Sequence, residues 1–234
     1  MAADHVTTAL PTATEQVYEQ VRDAIRAGEL VPGQRIDQSA LARRFGTSIV
    51  PVREALARLQ ADGLVRIVPH RGAFVEEMGP DALIDIYSMC ELLEENAARL
   101  AAPNLSDADL ELLQRLLKQM GDATAQTDYA ALFQLNRSFH FAIYRAARRE
   151  HLLQIIEQLW DQGDRYRRIY TELPDRARLA LEEHRIILKA CRRRDPDAMG
   201  ITVRHHVHQT TIGLLEYLRA QERAVEAHHD HRAA

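Results

Sequence analysis

The sequence predicts a mainly α chain in two parts: three short helices closed by a two-stranded hairpin, then an antiparallel α-helical bundle. Three observations carry this. Between residues 14 and 63, apolar residues recur at helical spacing in three runs divided by glycine-bearing turns. LVRIV and AFVEE follow, two short β-branched runs around the turn PHRG. From Gly79 onward five or six long amphipathic segments appear, broken by APNLSDAD, GDATAQTD, TELPDRA and RRRDPDA, with no alternating strand pattern.

Taken in order, residues 1–11 read as a flexible arm. Thr14 is placed to cap a helix whose apolar stripe is Val17, Val21 and Ile25, ending at Gly28. LVPGQRID reads as a turn. Ser39 is expected to cap the short helix ALARRF, which Gly46 stops, and Ser48 to cap the next. Pro51 is tolerated in that helix's first turn, where its missing amide would be unpaired in any case. Val52, Ala55, Leu56 and Leu59 fall at i, i+3, i+4, i+7 and face a core, and Gly63 ends the helix. Residues 12–78 thus read as a winged helix-turn-helix with a small two-stranded wing, and 79–222 as the bundle. Residues 223–234 read as a second flexible tail.

In a winged helix-turn-helix the helix after the tight turn enters the major groove of double-stranded DNA. Its outward face here carries Ile49, Val50, Arg53 and Ala57. Arg53 suits a guanine edge or a phosphate, and Ile49 and Val50 suit thymine methyls. Arg71 and Gly72 at the wing tip suit close approach to the duplex, because glycine puts no side chain in the way. Net charge is −4, which gives no global bias toward nucleic acid. Yet from Arg35 to Arg71 seven arginines stand against three acids, a local excess of four positive charges. The competing reading is a helical packing module with solvated arginines; capping, turn, wing and charge together argue against it.

No apolar run approaches the roughly 20 residues of a membrane span, so no membrane partner is expected. MAADHVTTALPTATEQ lacks a basic segment followed by an apolar one, so no secretory leader is expected. The two cysteines, Cys90 and Cys191, lie far apart in the chain, which points to a reducing cytoplasm without a disulfide framework.

The bundle carries histidines on inward faces. Asn136 and His140 are i, i+4 neighbours bordering the stripe Leu132, Leu135, Phe139 and Ile143. His184 shares a face with Ile187, Leu188 and Cys191, and His206 with Val203, Thr210 and Leu214. Any one of them alone reads first as a hydrogen-bonded core histidine. Three from three helices suit a divalent metal, zinc first, with nickel or manganese as alternatives.

The stretch GQRIDQSALARRFGTSIVPVREALARLQADGLVRIVPHRGAFV resembles the N-terminal domain of the GntR transcription regulators, above all in PVREAL, ADGLV and RGAFV. The helical remainder resembles the FadR-type subfamily with its ligand-sensing FCD domain, so the likeness covers roughly residues 12–222. It implies a homodimeric, non-enzymatic regulator, a repressor of a metabolic operon, controlled by a small organic-acid or sugar-acid effector. DNA contacts are implied at Arg35, Ser48, Ile49, Val50, Arg53, His70, Arg71 and Gly72. Relatives often hold arginine where this chain has Ile49 and threonine where it has Val50, which removes one charged contact. The resemblance also implies a metal set of Asn136, His140, His184 and His206. With a neutral amide at Asn136 the dication keeps its full charge for an anionic ligand. Many relatives clamp the effector with an arginine at the position of Cys90; here Arg145, Arg165 and Arg167 are the candidates. Two alternatives stay open: a regulator for which the ion is itself the signal, and a helical metalloenzyme.

Overall fold

A computed structural model describes residues 11–77, 79–171 and 174–233. The chain divides into two compact units at Glu77/Met78. The first opens with α1 (Ala13–Arg26), which buries Val17, Val21 and Ile25 as its spacing requires. Its N-cap is Thr12 and not the expected Thr14: the Thr12 hydroxyl accepts from the Glu15 amide while the Glu15 carboxylate accepts from the Thr12 amide, a capping box. Thr14 instead donates to Glu54 at 2.9 Å. The next helix, α2 (Gln38–Arg44), is capped by Asp37 and not by Ser39, since the Asp37 carboxylate accepts from the amides of Ser39 and Ala40. In both places two capping side chains lie close together, and the pairing of amides decides between them.

Helix α3 (Ile49–Ala61) buries Val52, Ala55, Leu56 and Leu59. Gly63, at φ 72°, turns the chain out of it into β2 (Val65–Val68). Strand β3 (Gly72–Val75) pairs antiparallel with β2 on one side and with a third strand, β1 (Arg35–Ile36), on the other. The two-stranded wing is therefore the outer part of a three-stranded sheet in the order β1-β3-β2. Two residues are too few to show a strand period, and β1 exists only through its partner: Arg35 pairs with Phe74, Ile36 with Ala73. Ile36, Leu64, Val65, Ala73 and Val75 join the helical stripes in one core.

The second unit is α4 (Pro80–Ala101), a 3-10 turn (Ala102–Asn104), α5 (Asp107–Ala125), α6 (Tyr129–Ala146), α7 (Glu150–Thr171), α8 (Pro174–Arg193) and α9 (Pro196–Ala233). Helix α4 packs along α9 and against α6 and α7, α5 lies on α6 and α8, and α8 lies on α9. Residues 223–233 continue α9, where the sequence reading places a flexible tail. Their alanines and charged residues are competent to extend a helix already nucleated. Cys90 and Cys191 are both free and fully buried. Among the described residues no helix is long and apolar enough to cross a membrane.

Candidate functional site

In the first unit, Arg35, Ile49, Arg53, His70, Arg71 and Gly72 line one surface cleft between α3 and the wing. Of the four basic side chains one comes from β1, one from α3 and two from the turn between β2 and β3, so the fold gathers charge that the sequence spreads over 37 positions. Gly72 sits at φ 108°, and a Cβ there would lie 3.3 Å from Arg35 Nε, so only glycine lets that side chain cross the wing base. Ser48 holds the N-cap position of α3 but its side chain makes no capping bond, which leaves the hydroxyl free for another partner. Val50 is 57% exposed beside it, and Arg53 is exposed one turn on. Neither Ser48 nor Val50 lines the cleft; both border it on the first turn of α3. Asp37, Gln38 and Ser39 line it as well. Nothing in their spacing marks them, because β1 and the start of α2 bring them there.

In the bundle, α6, α8 and α9 each aim one imidazole at a common point. His140, His184 and His206 are all buried, and their ligating atoms lie within 4.8 Å of one another. The ring centroids are 4.6–4.9 Å apart. Each Nδ1 is engaged away from the centre. His206 Nδ1 donates to the Glu183 carboxylate at 2.6 Å, and His184 Nδ1 to the Ala180 carbonyl at 2.5 Å. His140 Nδ1 lies 3.1 Å from the Tyr144 hydroxyl, which itself donates to Glu94 and so accepts from the ring. Three acceptors on Nδ1 fix three Nδ1–H tautomers and leave three bare Nε2 atoms pointing inward. Consequently His140 Nε2 and His184 Nε2 face each other at 3.0 Å lone pair to lone pair. That contact repels unless a cation stands between the rings. The outer partners are the kind that orient histidine ligands to metals.

The electrostatics agree. Burial, reinforced by His184, His206 and Arg167, holds His140 well below the usual imidazole range. Burial and then His206 bring His184 down to about 3. Both rings are neutral at physiological pH, as metal ligation requires. Burial opposes ionisation of Glu183, but hydrogen bonds from His206 and Arg176 outweigh it and lower its carboxyl to about 2. Asn136 lines the same cavity and makes no side-chain hydrogen bond among the described residues, so its amide oxygen is free to serve as a fourth donor.

Of the three arginines expected to clamp an acid, Arg167 lines this cavity, 7% exposed, bonded to Asp164 at 2.8 Å and stacked over Trp160 at 3.9 Å. Arg145 does not line it. The Arg145 side chain is exposed, 5.7 Å from the Phe141 ring, because its place on α6 turns it to solvent. The side chain of Arg165 lies outside the described residues. Sequence reasoning missed Arg176, which lines the cavity and pairs with Glu183 through both terminal nitrogens. It also missed the outer partners Tyr144, Glu183 and Glu94. Tyr144 follows His140 by one helical turn and is within local reach, whereas Glu183 meets His206 from a different helix, a pairing that needs the fold.

A winged helix-turn-helix joined to a helical bundle with a buried histidine centre defines a ligand-responsive class of transcription regulator, and the family comparisons agree. Residues 13–75 match the family described as "Bacterial regulatory proteins, gntR family" and residues 85–209 the FCD domain. The chain belongs to the GntR family of DNA-binding transcription regulators, with an FCD ligand-binding domain. It is 33% identical over 186 residues to the HTH-type transcriptional regulator McbR of Escherichia coli, covering 79% of this chain and 84% of that one. The HTH-type transcriptional repressor RspR of the same species is 26% identical, over 83% and 86% of the two chains. The solved structure of E. coli McbR/YncC superposes with a TM-score of 0.77 at 30% identity, covering 91% of this chain and all of that one.

Proposed function

We propose that this protein is a cytoplasmic, homodimeric repressor whose bundle holds a divalent metal ion and, on it, a small carboxylate or sugar-acid effector. His140, His184 and His206 would hold the ion through Nε2, with Asn136 beside them. The ion would supply a positive charge that attracts an anion, since four neutral donors would cancel none of it. The observation that carries the reading is the 3.0 Å approach of two imidazole nitrogens, on rings whose outer partners assign the protons to the far sides. Zinc suits three imidazoles first, with nickel and manganese as alternatives. Arg167 adds a buried positive charge at the cavity wall. Repression is supported by relatives such as RspR, named as a repressor. Dimerisation is supported by the apolar side chains Ile84, Met89 and Leu92 that α4 leaves exposed, and by the two-fold half-sites such regulators read. At the DNA, Arg35, Ser48, Ile49, Val50, Arg53, His70, Arg71 and Gly72 form the contact set.

The test is metal content with thermal stability. Purified protein should carry about one divalent ion per chain, and His184→Ala should lose it while staying folded and dimeric. Small carboxylates should raise the melting temperature of the loaded protein in a concentration-dependent way, and chelation should abolish the rise. A His184→Ala protein that keeps its full metal content would refute the site. DNA affinity that follows metal concentration without any acid would make the ion itself the signal.

A further inference from the structure

Around the metal-side cavity the polar side chains are accounted for nearly one by one. Glu94 accepts from Tyr144 and from Trp160 Nε1. Arg167 is bonded to Asp164, Arg176 to Glu183, and the Tyr170 hydroxyl donates to the Gln209 carbonyl. The hydroxyls of Thr171 and Thr210 bond back to carbonyls of their own helices. Asn136 is taken up by the proposed metal set. Two polar atoms of this lining are left without a partner among the described residues: Arg176 Nε, on a guanidinium already held by Glu183 through both terminal nitrogens, and the single polar group of one tyrosine. Tyr87, on α4, lines the cavity at 1% exposure, and its hydroxyl has no hydrogen-bond partner among the described residues.

A buried hydroxyl without a partner costs stability, and folded proteins leave few of them. Substituting phenylalanine would remove the cost with no loss of packing, so the hydroxyl is the feature that wants explaining. Its surroundings say what it would bind. Burial pushes the phenol well above its usual range, so it stays protonated and offers a donor. The Arg167 guanidinium lies 5.3 Å from the Tyr87 ring centroid, which makes this end of the cavity attractive to an oxygen acceptor. Gly163 packs against the phenol: a Cβ there would come within 3.3 Å of the hydroxyl, so glycine is what lets the tyrosine take this position. The cavity is small, about 40 Å³, against the roughly 150 Å³ that accepts benzene in an engineered protein core. It suits a ligand of a few heavy atoms.

We infer that Tyr87 is a second anchor for the effector: the ligand is a short carboxylic acid with a further oxygen function, one end at the histidine centre and the other accepting from Tyr87 Oη. This rests on the acid-at-metal reading proposed above and deepens it, because it assigns Tyr87 the choice among acids.

The experiment titrates the zinc-loaded full-length protein with acetate and propionate, then with glycolate, lactate and malonate, reading melting temperature and calorimetric affinity. The oxygen-bearing acids should bind about tenfold more tightly than the plain ones, the scale of one hydrogen bond made in a desolvated site. Tyr87→Phe should bring the two groups level, with zinc content unchanged and the ligand-free melting temperature equal or higher. A purely structural tyrosine would lower that temperature and leave the preference alone, which overturns the assignment. Equal affinities in the unsubstituted protein also overturn it, while leaving an acid at the metal. Zinc bound with no response to any of the acids removes both readings.

Discussion

The two units of this chain handle charge in opposite ways. In the DNA-binding unit Arg53 and Arg71 are exposed and Arg35 lies across the wing, all solvated. In the bundle, buried Asp161, Asp164 and Arg167 form one network with the half-buried Arg137, the Asp164 side chain lying at 0% exposure between two guanidinium groups. An exposed charge contributes little to folding and is available to a partner. A buried one is committed to its neighbours, and removing a partner leaves an uncompensated ion in a poor solvent. Substitutions in the first unit should therefore be read in DNA affinity and those in the second in stability.

The largest expected effect is Asp164→Ala. It deletes the carboxylate that bonds Arg137 Nη1 at 3.0 Å and Arg167 Nη1 at 2.8 Å. The bundle should lose about 3–5 kcal/mol. Trp160 is the only tryptophan of the chain and lies 3.9 Å from the Arg167 guanidinium, so urea unfolding followed by its fluorescence reports this unit by itself. A loss below about 1 kcal/mol would mean that the network is hydrated enough to behave like a surface pair.

Next comes Arg53→Ala, which should weaken specific DNA binding by about 1–3 kcal/mol and leave the Trp160 transition where it was. Salt dependence sharpens the result. If Arg53 meets a phosphate, the slope of log affinity against log salt falls by about one; if it meets a base edge, the slope holds and discrimination at one base pair is lost. Unchanged affinity would remove Arg53 from the contact set.

The same contrast explains what was legible in the sequence. The stripe of α3 and the inward aim of His140, His184 and His206 are local facts: each histidine shares a helical face with residues that are themselves buried, and a helical period shows that directly. Three properties needed the fold. Strand β1 is two residues long and exists only by pairing with Phe74 and Ala73. Arg145 and Arg167 sit on α6 and α7, and only packing turns one to solvent and the other into the cavity. Tyr87 reads as one more core aromatic until its hydroxyl is seen to lack a partner.

The smallest effect separates a cap from a contact. Thr12 and Ser48 occupy the same N-cap position on α1 and α3, and a sequence pattern treats them alike. Thr12 closes a capping box with Glu15, while the Ser48 hydroxyl makes no capping bond. Thr12→Ala should therefore cost the DNA-binding unit about 1 kcal/mol, and Ser48→Ala less than about 0.5 kcal/mol, both measured by calorimetric unfolding. In DNA binding the order should reverse, Ser48→Ala losing about 0.5–1.5 kcal/mol as one hydrogen bond disappears and Thr12→Ala almost none. Equal destabilisation by the two changes would show that Ser48 caps α3 in solution. Its hydroxyl would then be spent within the fold, and its place at the DNA would pass to the unpaired backbone amides that a helix N-terminus offers to a phosphate.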